Sequence, residues 1–174
     1  MKYFIGFLLT QLWRFLRFFP NSDPIMGFVI PASKNTEYWK APLFAFASMF
    51  VFDFFTSGIG IWTWVTSVTY ALIALGFRVA MKNKKAGIKL YTSYGLIGVL
   101  VFDFITGPLM SSVLFKQSFL VTAFLQVPFT LMHLISAVFG IIILAPLLDE
   151  CVAKEYSVMK STFENTLKNL RLQI

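Results

Sequence analysis

Two aspartates occur in the same short motif, each inside an apolar stretch of the chain. The motif reads VFDFFT at Val51–Thr56 and VFDFIT at Val101–Thr106, and glycine follows each copy closely. A carboxylate within an apolar run of membrane length costs free energy when the run enters the membrane, and by default it marks a functional site. We therefore predict that Asp53 and Asp103 lie at similar depth, as parallel repeats, and bind a substrate.

A second polar set lies in the last apolar stretch. Gln126, Thr130 and His133 are spaced i, i+4 and i+7, which places them along one face of a helix, and His133 is the only histidine. Such a stripe can simply bond helices to one another. Two acids within reach favour a ligand pocket instead.

Two tryptophans follow the tight turn after the first acid. We predict that Trp62 or Trp64 lines the outer mouth of the pocket. The alternative is that both are belt residues, which anchor a helix at the membrane interface.

The composition shows what surrounds these residues. The chain has 174 residues, of which 57% are hydrophobic and 13% charged, whereas a soluble domain has about 45–50% and about 25%. A bilayer is therefore the expected solvent. The net charge of +7 comes from basic residues in short loops between apolar segments, so we exclude a nucleic-acid partner. The single cysteine excludes an internal disulfide and a cysteine-based metal cage, and we predict no cofactor and no metal.

The hydrophobic pattern predicts an all-α integral membrane protein with six transmembrane helices, the second one short. A membrane domain covers residues 1–150, and an amphipathic cytoplasmic tail covers residues 151–174. The six segments are Met1–Phe19, Ile25–Ala32, Ala41–Ser57, Ile61–Met81, Leu90–Met110 and Phe119–Leu148.

The second segment decides the topology. Ile25–Ala32 is shorter than the roughly 20 residues that a span needs, so it is either a short helix packed among others or a re-entrant segment. Counting it as a span places the basic loop Lys82–Lys89, the N-terminal lysine and the whole tail on one side. The positive-inside rule then predicts a multi-pass protein of the cell membrane with both termini in the cytoplasm.

Several stretches resemble the small substrate-binding S components of energy-coupling factor transporters. The segment QVPFTLMHLI at Gln126–Ile135, the segment Asp103–Pro108 and the run Phe19–Gly27 carry the resemblance. It implies a six-helix subunit that binds a vitamin, a vitamin precursor or a metal ion and docks on a transmembrane coupling subunit driven by ATPases. The family often carries alanines four apart on its first helix. This chain has that spacing only at Ala41 and Ala45, on the third segment.

Other functions stay open. The chain has no phosphate-binding Gly-Lys-Ser/Thr loop, and it offers too few catalytic residue types for an intramembrane enzyme, so we predict that it is not an enzyme. A structural cell-envelope scaffold would use the acids for packing. A small secondary carrier would use them to relay protons or cations.

Overall fold

A computed structural model describes residues 2–16 and 23–171, and the secondary structure in these ranges is helical. A π-helical turn at Ile105–Leu109 joins α5 to α6, so that the chain from Ile88 to Phe115 forms one continuous helix. The helices are α1 (Lys2–Leu16), α2 (Ile25–Asn35), α3 (Lys40–Phe55), α4 (Ile61–Met81), α5 (Ile88–Phe104), α6 (Met110–Phe115), α7 (Phe119–Leu148) and α8 (Glu150–Arg171).

The short helix α2 forms the centre of the bundle. Every residue from Ile25 to Ser33 is buried, as expected for a helix that is apolar on all sides. It packs against α1, α3, α4, α5 and α7. The approach to α7 is close enough that a Cβ at Gly27 would lie 2.5 Å from the carbonyl oxygen of Gly140. Of the two readings of this segment, the structure shows the short helix packed among others.

Three helices are long and apolar enough to cross a membrane: Ile61–Met81, Ile88–Phe115 and Phe119–Leu148. The prediction of six spans finds support only for these three. α1, α2 and α3 have 15, 11 and 16 residues. At about 1.5 Å per residue they reach roughly 16–24 Å, less than the hydrocarbon thickness of about 30 Å. The apolar surface of the bundle and these three helices together indicate a membrane protein.

Polar contacts join the helix ends at one end of the bundle. Arg78 donates to the carbonyl oxygens of Ser33 and Lys34 at the end of α2, and Lys34 donates to Met81 O at the end of α4, at 2.7 Å. These cations satisfy carbonyl groups that the helices themselves leave unpaired.

Asp149 ties the final helix to the same end. Its carboxylate accepts hydrogen bonds from Asn35 Nδ2 at 2.6 Å, from the hydroxyl of Tyr91, and from the backbone N–H of Cys151 at 2.8 Å. Burial alone would raise the pKa of Asp149, but these hydrogen bonds outweigh burial, and its pKa lies below the ordinary value.

The tail is helical, as the sequence predicts, and only its first turns are docked. Val152 is buried, and Glu155 accepts a hydrogen bond from the backbone N–H of Ile88. Farther along, Tyr156, Met159 and Phe163 are exposed. The docked turns bring the tail and the start of α5 to the same end of the bundle.

Candidate functional site

Four buried side chains form a continuous line of polar contacts through the bundle. Asp103 Oδ1 lies 2.8 Å from His133 Nδ1, and His133 Nε2 lies 3.2 Å from the hydroxyl of Tyr70. That hydroxyl lies 3.4 Å from Asp23 Oδ2, a long and weak hydrogen bond. We call Asp103, His133, Tyr70 and Asp23 the buried polar chain. Each of them is less than a tenth exposed.

Each member comes from a different element. Asp103 is on α5, His133 on α7 and Tyr70 on α4, while Asp23 precedes α2 and accepts a hydrogen bond from the backbone N–H of Ile25 at 2.9 Å. The ring of Phe102 packs between two of them, with its centroid 4.2 Å from that of Tyr70 and 5.8 Å from that of His133. The buried polar chain therefore joins the central helix to three helices around it.

Arg14 brings a positive charge near this chain. Its guanidinium donates to Ser48 O at 3.0 Å and lies 3.9 Å above the ring of Phe52. It acts electrostatically on Tyr70, as do Asp23 and Asp103.

The hydrogens of the buried polar chain can be arranged in two ways. If both nitrogens of His133 carry a hydrogen, they donate to Asp103 and to the oxygen of Tyr70, and the hydroxyl of Tyr70 donates to Asp23. If His133 is neutral with its hydrogen on Nδ1, Nε2 must accept from Tyr70, and Asp23 Oδ2 loses its donor while Oδ1 keeps the backbone N–H of Ile25. One proton on His133 thus determines whether all three contacts of the buried polar chain are made.

Asp103 also faces a groove between α5 and α7. Its second carboxylate oxygen, Oδ2, is buried and has no hydrogen-bond partner among the described residues. The groove holds about 460 Å³. We call it the Asp103 groove, and its lining is Leu100, Asp103, Phe104, Pro108, Ala123, Gln126, Val127, Thr130, Leu131 and Leu134.

The π-helical turn shapes one wall of this groove. Pro108 cannot donate a backbone hydrogen bond, and its ring would clash with the carbonyl one turn earlier in a regular α-helix. The wider turn accommodates it and lets the helix continue. Gly107 lies against Gln126, since a Cβ there would be 2.5 Å from Gln126 Oε1.

The structure brings four of the predicted site residues together. Asp103, Gln126 and Thr130 line the groove, and His133 binds Asp103 from the buried side. The spacing of the stripe on α7 therefore predicts a real cluster. Its role in binding a substrate stays a prediction.

Asp53 lies elsewhere. It is buried near the end of α3, a helix that packs on α1, α2 and α4, whereas α5 packs on α2, α4 and α7. Its carboxylate accepts no hydrogen bond within residues 2–16 and 23–171, and it lines none of the described grooves. The two motif copies share their sequence but not a pocket.

The two tryptophans also lie apart from the Asp103 groove. Trp64 packs against Phe50 and Phe46 of α3, with ring centroids 5.3 and 6.2 Å away. The ring of Trp62 lies over Gly60, where a Cβ would be 2.4 Å from it. Both side chains are exposed on the apolar surface, the placement that belt anchoring requires.

Sequence reasoning missed Tyr70, Asp23 and the inward role of Arg14. A tyrosine in the middle of an apolar helix was the one available signal, because a buried hydroxyl usually needs a partner. Which partner it finds depends on how distant helices pack.

Within the described ranges, no three His, Cys, Asp or Glu side chains are grouped as a metal site. No family model matches this chain, and no curated protein or solved structure is significantly similar to it.

Proposed function

We propose that this chain is the membrane-embedded substrate-binding subunit of an uptake transporter for a small organic molecule. The observation that supports this best is that Asp103, whose buried Oδ2 has no hydrogen-bond partner among the described residues, lines a groove together with Gln126 and Thr130. A buried carboxylate oxygen without a donor costs free energy, and a ligand would supply that donor. The resemblance to S components points in the same direction.

The groove defines the chemistry of the ligand. Its surface is mostly apolar, with one carboxylate, one amide and one hydroxyl. This suits an apolar molecule with an N–H group, such as an amine or an amide of a vitamin or vitamin precursor. The N–H would donate to Asp103, while Gln126 and Thr130 would orient the rest.

Energy would come from partners. The chain has no phosphate-binding Gly-Lys-Ser/Thr loop, so ATP hydrolysis requires separate ATPase subunits and a transmembrane coupling subunit.

We assign both termini and the loop Lys82–Lys89 to the cytoplasm. Two candidate spans, Ile88–Phe115 and Phe119–Leu148, separate this loop from the tail and would return the chain to the same side, and the Glu155–Ile88 hydrogen bond agrees with this arrangement. The N-terminus lies on that side as well only if an odd number of segments crosses the membrane before α4. The excess of lysine and arginine at that end supports the cytoplasmic assignment. In a variant without Cys151, a cysteine at Asn83 should resist a membrane-impermeant thiol reagent added outside. Strong labelling would reverse the orientation.

The buried polar chain favours a second candidate, a small cation-coupled carrier. A line of titratable groups inside a membrane is the arrangement that proton relays use. The two functions differ in their requirements. A carrier moves its substrate in proteoliposomes containing this chain alone when a proton gradient is applied, whereas a binding subunit needs its partners.

The test of substrate binding uses the two motif copies as a matched pair. Wild-type protein, Asp103→Asn and Asp53→Asn are purified in parallel, denatured, and the released small molecules are compared by mass spectrometry. A molecule that co-purifies with wild type and Asp53→Asn should be reduced at least about tenfold in Asp103→Asn, the loss expected when a charge-assisted hydrogen bond disappears. Equal amounts in all three proteins would rule out the Asp103 groove as the site.

A further inference from the structure

A second cleft lies between α1 and α7. α1 packs against α3 and α2, and its Trp13 meets Phe139 of α7 at a ring distance of 6.3 Å. Beneath this contact the two helices enclose about 200 Å³. We call this space the α1–α7 cleft. Its lining includes Leu9, Thr10, Pro24, Phe28, Ser136 and Gly140, and it shares no residue with the Asp103 groove.

The floor of the cleft is closely packed. Gly140 lies so near Pro24 that a Cβ on it would be 3.1 Å from the Pro24 backbone, and Gly27 is tighter still, since a Cβ there would be 2.5 Å from Gly140 O. α2 and α7 are therefore already in close contact beside the cleft, and interiors packed this closely hold their shape.

Two hydroxyl groups line this cleft without a partner. Thr10 is fully buried and Ser136 is 2% exposed. Neither Oγ atom has a hydrogen-bond partner among the described residues. This is unusual for helical serine and threonine, which normally bond a carbonyl of the preceding turn, as Thr106 does with Phe102 O at 2.8 Å. Both residues line the cleft, and the hydrogen-bonding capacity of their buried hydroxyl groups is unused among the described residues.

The lining and the rim define the occupant. Among the residues that the structure describes, no charged side chain lines the cleft, so a charged ligand would find no counter-ion there. The rim residues Leu12, Phe139 and Ile143 are apolar and exposed on the surface that faces lipid. We propose that the α1–α7 cleft binds a small neutral apolar molecule that enters from the lipid phase and places one hydroxyl or carbonyl group against Thr10 and Ser136.

The experiment uses a pair of photoreactive probes in proteoliposomes. One probe is an octanol with a diazirine in its chain, and the other is the corresponding octane without the hydroxyl group. After irradiation, mass spectrometry of peptides locates the adducts. The octanol should label α1 and α7 around Trp13 and Phe139 in preference to other lipid-facing helices, and the octane should label the apolar surface evenly.

Variants then test the hydroxyl groups. Thr10→Val combined with Ser136→Ala changes little volume and should lower octanol labelling of the cleft by about fivefold, the effect of losing one neutral hydrogen bond. Ser67→Ala is the matched control, because Ser67 is also buried without a described partner but lies outside the cleft. Gel filtration of each variant confirms that it is folded.

Three results would overturn the proposal: even octanol labelling of all helices, absence of adducts on α1 and α7, or the same loss in Ser67→Ala as in the double variant. The Asp103→Asn variant should keep full cleft labelling, since Asp103 is not part of the lining. Failure of the proposed substrate groove would therefore leave this result unchanged.

Discussion

The two copies of the VFDF motif begin alike and end differently. In each copy the threonine hydroxyl bonds the phenylalanine carbonyl four residues earlier, Thr56 to Phe52 O at 2.7 Å and Thr106 to Phe102 O at 2.8 Å. After the first copy the helix stops, and Gly58 adopts a φ of +76° while its N–H bonds Asp53 O. After the second copy the helix continues through the π-helical turn.

The comparison separates what a motif determines from what its surroundings determine. The local hydrogen bond of the threonine is the same in both copies, because it needs only helical spacing. The helix end depends on the next residues, since Gly58 can turn the chain and Pro108 sits within the π-helical turn. The role of the aspartate depends on distant partners. Asp103 meets His133, and Asp53 meets no comparable group in the described part of the chain.

The largest expected effect comes from the variants that test this difference between the two aspartates directly. Asp103→Asn removes a charge-assisted hydrogen bond in a buried site, and we expect it to lower the free energy of unfolding by about 2–3 kcal/mol. Asp53→Asn should cost about 1 kcal/mol or less, a usual value for a single substitution. Thermal unfolding in detergent measures both. Equal losses would mean that the His133 contact does not distinguish the two copies.

The buried polar chain should respond to a smaller change. Tyr70→Phe removes one hydroxyl and leaves His133 Nε2 and Asp23 Oδ2 without that contact, which should cost about 1–2 kcal/mol. Tyr94→Phe is the control, because its hydroxyl is exposed and bonds Lys84 Nζ. The control should cost less than about 0.5 kcal/mol. Equal losses in Tyr94→Phe and Tyr70→Phe would show that burial in the polar chain adds nothing to the contribution of a tyrosine hydroxyl.

For the glycines after the motifs, the order of the stability losses should be reversed, with the larger loss at the first copy. Gly58→Ala places a side chain at positive φ and should cost about 1 kcal/mol, although the space around it is open. Gly107→Ala meets the flexible end of Gln126, which can move, so its cost should be less than about 0.5 kcal/mol. Unfolding curves compare the two variants. If Gly107→Ala costs more than Gly58→Ala, Gln126 is held rigidly in the groove.

Local patterns predicted the elements better than their partners. The bounds of α4 and α7 agree with the predicted segments, because a Gly-rich turn and a change from apolar to polar residues mark their ends. The continuous helix of α5 and α6 runs five residues past the predicted Met110, to Phe115. Helical spacing placed Gln126, Thr130 and His133 along one face of α7, but the meeting of that face with Asp103 depends on how α5 packs on α7.

The rest required tertiary structure. Six spans are not supported, because charge patterning counts crossings and not helix lengths, and only three described helices are long and apolar enough to cross a membrane. The partnership of His133 with Tyr70 and Asp23 depends on three helices packing around α2. The separation of Asp53 from Asp103 depends on the same packing, and no spacing along the chain reveals it.

The smallest expected effect concerns Asp149, a buried aspartate that lies outside the spans and provides a reference for Asp53 and Asp103. The pKa of Asp149 is lowered in the folded protein from its ordinary value of 3.8, because hydrogen bonds from Tyr91, Asn35 and the backbone outweigh burial. Its carboxylate therefore stabilises the fold fully above that value and loses this contribution as the pH falls through the lowered pKa.

We therefore expect the melting temperature of the wild-type protein in detergent to fall between pH 5 and pH 3 by more than that of Asp149→Asn, whose amide does not titrate. At pH 6 the variant should melt below wild type, and the two curves should approach each other towards pH 3. Glu37→Gln is the control, because the pKa of Glu37 is also lowered, by its hydrogen bond with Lys40, but both side chains are exposed and contribute little to stability. Wild-type and Asp149→Asn curves that stay parallel from pH 6 to pH 3 would show that the contacts of Asp149 with α2 and α5 do not depend on its charge.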